Sequence, residues 1–170
     1  MGTEPNRKSE SGWDPPFSRK AQGYLRAAQW SPGRQVSVTA YTEAFREEGI
    51  VLLPASRSFL ERFGGLIIKY ETPSKQADVL EFCADDAVCG LGKGGLRQLE
   101  QLLGVHPLCP IGHYQYGTCM LVQDEKGRVF GVSDETTTFI GESGEASIEH
   151  ILSGTPPCIT MARSGDTANR

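Results

Sequence analysis

A chain of 170 residues with a formal charge of −4 and 38% apolar side chains has material for one domain with a buried core and is short for two. No apolar run approaches the roughly 18 residues of a membrane-spanning helix, and none follows a basic start, so the sequence predicts a soluble, unexported protein. Five cysteines at 83, 89, 109, 119 and 158 are odd in number and too sparse for a disulfide scaffold; they read as reduced, mostly buried thiols in a cytoplasmic protein.

Residues 1–17 hold three prolines and only Trp13 and Phe17 as large apolar groups, which predicts a flexible leader. A single domain is then expected over 18–154. Ser18 is placed to cap a helix to about Gln29, which Trp30-Ser31-Pro32-Gly33-Arg34 breaks. Thr39 reads as the cap of a second helix, reaching Glu48 with Gly49 past its end. Pro54 begins a third, whose Phe59, Leu60 and Phe63 share a face, and Gly64-Gly65 turns it into the apolar strand Leu66–Glu71. Val79–Cys83 alternates as a half-buried strand and pairs with that strand in a hairpin.

Gly90 to Gly95 reads as a loop, followed by a leucine-spaced helix to about Leu103. Strands are expected at Leu108–Gly112, Gly117–Gln123, Arg128–Ser133 and Thr137–Ile140, the middle pair joined by the hairpin turn Asp124-Glu125-Lys126-Gly127. A last helix, Glu145–Leu152, precedes a tail from Thr155 that reads as disordered. The layer rules turn this order into an α+β domain, a mostly antiparallel sheet with helices on one face.

The candidate chemical motifs fail on context. Gly90-x-Gly92-x-x-Gly95 matches the dinucleotide pattern literally, yet lacks the following parallel strand and the acid about 20 residues on that would hold a ribose. His106, Cys109, His113 and Cys119 contain no paired Cys-x-x-Cys, and Pro157-Cys158 lacks the second cysteine and the upstream His-x-Glu of a zinc deaminase. Nothing in the sequence near Cys158 and His150 activates a thiol. The sequence therefore predicts no catalytic residue, no cofactor and no metal.

Charge is more informative. Between Leu121 and His150 seven acids face Lys126 and Arg128, a local balance of 2 − 7 = −5, which disfavours nucleic acid and anionic lipid as direct partners and favours a basic protein. Asp124, Glu125, Asp134, Glu135 and Glu142 are the candidates for a docking face, with Trp30, or Tyr114 and Tyr116, as aromatic anchors where they are exposed; a tryptophan in the place of Trp30 is more often a core residue.

Trp30-Ser31-Pro32-Gly33-Arg34, then Phe59-Leu60-Glu61-Arg62-Phe63-Gly64-Gly65-Leu66, then Pro110-Ile111-Gly112 and Phe130-Gly131-Val132 together resemble the third subgroup of the SUKH immunity-protein superfamily. The resemblance spans about Tyr24 to Leu152. It implies a non-enzymatic α+β domain that binds a cognate bacterial toxin domain and protects the producing cell, with Gly33, Arg34, Phe63, Gly64, Gly65 and Leu66 as structural residues; joined to the acidic face, it leads to the expectation of neutralisation by occlusion. A regulatory adaptor on the same scaffold, and a small enzyme with a Cys/His site, are the alternatives.

Overall fold

The structure, a computed structural model, describes residues 17–83, 92–134, 136–155 and 159–162. Ser18 accepts a hydrogen bond from the Ala21 N–H at 3.2 Å and so starts α1, Arg19–Ala27, which buries Ala21 and Leu25. Helix α2, Thr39–Glu48, begins one residue earlier than a Thr39 cap would allow. Thr39 is already helical, and its first-turn N–H finds an outside acceptor in Ser37 Oγ at 3.2 Å. Pro54 opens α3, Pro54–Phe63, where a missing N–H costs nothing. The glycine-rich run expected as a loop instead enters α4, Gly92–Leu103, at Gly92; Gly90 and Leu91 lie outside the described residues. The last helix, α5, Gly144–Ser153, is capped by Ser143, which accepts from the Ala146 N–H at 3.1 Å.

Among the described residues seven strands form one antiparallel sheet whose spatial order equals the chain order: β1 Ile67–Glu71, β2 Ala77–Glu81, β3 Leu108–Tyr114, β4 Cys119–Asp124, β5 Val129–Val132, β6 Thr136–Gly141 and β7 Ile159–Ala162. The first two alternate, with Ile68, Tyr70, Asp78 and Leu80 turned inward. Strands β3 to β5 are buried almost throughout, so both faces of the sheet centre are covered and their sequences read as continuous apolar runs. Strand β7 corrects the expectation of a disordered tail: Ile159–Ala162 pairs with Phe139 to Thr136 of β6.

Helix α1 packs on β1, α3 on β3 and β4, and α5 on β6, while α1 also packs on α5. The Arg62–Glu145 ion pair, at 2.5 Å, ties α3 to α5, so these three helices share one face of the sheet. At the centre of that layer Phe63 stacks on Trp30, with centroids 5.1 Å apart and planes 5° from parallel, and on Phe59 at 4.9 Å. Phe17, assigned to the leader on its sequence, belongs to this cluster instead. It is 5% exposed and meets the Trp30 ring edge-on at 5.7 Å, because a large aromatic beside an apolar face gains more from burial than its ordering costs.

Candidate partner-binding surface

Two clusters collect the residues singled out in the sequence. The first is the corner where α3 becomes β1. The last carbonyls of any helix lack intrahelical partners. Here Arg34 donates Nη1 to Arg62 O at 2.9 Å and Nη2 to Gly64 O at 2.8 Å, and Trp30 Nε1 adds a second bond to Arg62 O at 3.0 Å. Gly65 turns the chain with a φ of 74°, a conformation that glycine reaches without a Cβ penalty. Its N–H donates to Phe82 O at 2.6 Å, and the Phe82 N–H returns to Leu66 O at 3.0 Å, so the corner is stitched to the chain leaving β2. Tyr41 closes it: its hydroxyl donates to Phe82 O and accepts from the Gly65 N–H, and burial pushes its pKa up to about 12. Gly33 sits in the turn that delivers Arg34, whose N–H donates to Ser31 O at 3.0 Å. Trp30 is 3% exposed and wholly engaged here, so it is a core residue and not an anchor for a partner.

The second group is the acidic loops, and the structure divides them. Asp124 is 2% exposed and organises its own turn. Its Oδ1 accepts from the N–H groups of Lys126 and Arg128 at 3.0 and 2.8 Å, and its Oδ2 receives Arg128 Nε at 2.7 Å and Nη2 at 2.6 Å. A carboxylate turned inward and neutralised in this way is withdrawn from any docking face. Glu125, Asp134 and Glu142 are exposed, and Glu135 lies outside the described residues. Glu125 and Glu142 stand at one end of the sheet, in the β4–β5 and β6–α5 connections; Asp134 stands at the other, beyond β5, a strand of about 13 Å.

At Asp134's end lie the β1–β2 and β3–β4 turns, and between them opens a groove of 570 Å³. Tyr116, at the tip of the second turn, is 68% exposed, and Tyr114 forms part of the wall. Tyr70 and Asp78, neither singled out as a site residue in the sequence, complete it. Asp78, 5% exposed, accepts at Oδ2 from the Tyr70 hydroxyl at 2.6 Å, and at Oδ1 from the N–H groups of Val79 at 2.7 Å and Tyr116 at 3.1 Å. Burial first, then the bond to Asp78, raises the Tyr70 pKa; burial first, then Cys119, raises that of Tyr114. Both phenols therefore stay protonated. The signal for Asp78 was in the alternation of Asp78, Leu80 and Phe82, which sets an acid on the inward side of a strand.

The titratable groups weighed for chemistry are dispersed. Burial pushes the Cys109 thiol up to about 11 and raises Cys119 as well, the reverse of what a nucleophile needs. His106 Nδ1 pairs with Glu100 at 2.8 Å, and both line a different cavity from the groove that holds His150. Among the described residues no three His, Cys, Asp or Glu side chains could hold one metal ion, and Cys158 lies outside them. No helix among these residues is long and apolar enough to cross a membrane.

With the corner and the strand order in place, comparison with known proteins is decisive on one point. The pattern described as SUKH-3 immunity protein matches residues 17–154. The chain belongs to the SUKH-3 immunity protein family. The match runs from Phe17 through α5 and ends before β7. No curated protein matches the chain, and no solved structure does. In this member of the family Trp30, Arg34, Phe63, Gly64 and Gly65 build the corner where α3 becomes β1.

Proposed function

We propose that this SUKH-3 member protects the cell that makes it by binding a toxin domain in the cytoplasm and covering the surface through which that toxin acts. The family match over residues 17–154 carries the reading. Three further features favour occlusion over chemistry. The Cys109 and Cys119 thiols are buried and raised in pKa, the exposed acids Glu125, Asp134 and Glu142 crown both ends of the sheet, and the exposed aromatic Tyr116 projects beside Asp134's end. A toxin that acts on nucleic acid carries positive charge to meet phosphates, and an electronegative inhibitor both steers toward it and mimics what it binds.

The test is co-expression with the toxin domain encoded by the neighbouring gene, reading growth and co-purification. Rescue of growth together with a stable complex is expected. Replacing Glu125, Asp134 and Glu142 together by lysine slows association about tenfold at low salt and weakens rescue while leaving thermal stability unchanged. A wild-type chain that neither rescues growth nor co-purifies overturns the proposal.

A further inference from the structure

We propose that the groove between the β1–β2 and β3–β4 turns is a receptor for one cationic side chain of the partner, an arginine in preference to a lysine, with Asp78 as counter-ion and Tyr116 as the ring that covers it. The inference rests on the immunity reading and locates the contact within it.

The starting point is a contrast between two buried carboxylates. Asp124 and Asp78 are 2% and 5% exposed, and a carboxylate taken out of water is costly to leave without an opposite charge. Asp124 has Arg128. Asp78 has three hydrogen bonds, from a phenol and two backbone N–H groups, and no cation among the described residues. The arginines and lysines seen in ion pairs serve Glu145, Glu71 and Asp124. Asp78 also lines an open groove, whereas Asp124 does not. A carboxylate accepts about four hydrogen bonds, and Oδ1 already holds two while Oδ2 holds one, so an acceptor position is left on Oδ2.

The rest of the groove suits a guanidinium. His150 contributes Nε2, a buried nitrogen with no hydrogen-bond partner among the described residues; with its proton on Nδ1 the ring offers that atom as a second acceptor. Burial lowers the His150 pKa, which keeps the ring neutral and stops it from filling the role of the missing cation. Tyr70 and Tyr114 supply aromatic walls, and Tyr116 stands 68% exposed at the rim. A planar cation with several donors stacks on such rings and reaches more than one acceptor, which an ammonium does less well. The rim is also held in an uncommon shape. Gln115 and Tyr116 adopt successive left-handed conformations, with φ of 54° and 51°, which residues other than glycine rarely take up. Asp78 itself fixes the second through the Tyr116 N–H, so counter-ion and ring are positioned by one another.

The first arm of the test titrates the full chain with N-acetyl-arginine methylamide while following backbone and imidazole resonances, with the neutral citrulline analogue as control. Saturable shifts at Val79, Tyr116 and His150 are expected with the arginine compound alone, and are abolished in Asp78→Asn. Equal shifts with both compounds, or none at roughly 100 mM, overturn the inference. The second arm measures affinity for the neighbouring toxin domain. Tyr116→Ala, on an exposed ring that folding does not need, is expected to weaken binding about tenfold. Undiminished affinity in Tyr116→Ala sinks the groove and leaves the immunity reading intact. Failure of the wild-type chain to bind the toxin sinks the immunity reading instead, and the arginine titration then decides the groove alone.

Discussion

Replacing Arg34 by methionine tests the account of the corner. The guanidinium makes two charge-assisted bonds, to Arg62 O and Gly64 O, and only the first carbonyl has a second donor, Trp30 Nε1. The substitution therefore leaves Arg62 O satisfied and strands the Gly64 carbonyl at a buried residue. Hydrogen bonds to charged groups contribute about 1.5–3 kcal/mol each, and Arg34 is only partly buried, so the lower end applies to each. The expected loss is about 2–4 kcal/mol, a fall of roughly 5–15 °C in Tm for a domain of this size. Urea unfolding at neutral pH reads it directly, and the slope of the transition should not change, because the surface exposed on unfolding is the same. Arg34→Lys should recover part of the loss and never all, since one ammonium cannot span both carbonyls in the plane of a fork. A loss below about 0.5 kcal/mol for methionine would show that water satisfies the end of α3 equally well, and the explanation of the Trp-Ser-Pro-Gly-Arg stretch would fall with it.

Other expectations are independent of that corner. Gly144→Ala places a Cβ inside the ring of Phe59 where α5 meets α3, and should cost about 1–3 kcal/mol by thermal melting, partly regained when Phe59 is also shortened to leucine. Asp124→Asn removes the inward partner of Arg128 and should destabilise by about 2–3 kcal/mol, whereas Glu125→Gln next to it should stay within about 0.5 kcal/mol; equal effects would contradict the division of the acidic loop. Burial holds the His150 pKa below its ordinary 6.5, so the unfolded chain binds the proton more readily than the folded one. Its contribution to stability is then complete above about pH 6.5 and declines as pH falls. His150→Gln should flatten the plot of Tm against pH between 7.5 and 5, and an unchanged slope would remove His150 as the cause.

The elements with strong local signals were legible in the sequence. Ser18, Pro54 and the hairpin Asp124-Glu125-Lys126-Gly127 mark boundaries by backbone chemistry alone, and the α+β architecture follows from their order. Other features depend on neighbours remote in sequence. Trp30 and Phe17 look available until the arrival of Phe63 buries both. Asp124 reads as solvated surface, although an aspartate at the start of a tight turn commonly folds back onto the N–H two residues on, as it does toward Lys126. The glycines at 92, 94 and 95 suggest a loop because they favour no structure by themselves; the helix there is set by what packs on Leu96 and Leu99. The candidate groove was half visible. Tyr114 and Tyr116 were named, but Asp78 and His150 join them only through the β2–β3 pairing and the end of α5.

Strand β7 lies past residue 154, where the family match stops, and it lies alongside Thr136 to Phe139. A β-strand at the margin of a sheet presents a row of unused N–H and C=O groups that any extended chain can dock onto. By folding its own downstream segment against that margin, this chain occupies a flank that the rest of the domain would leave open to foreign strands. The chain itself thereby takes up the margin of β6, and β7 becomes the outer strand of the sheet on that side.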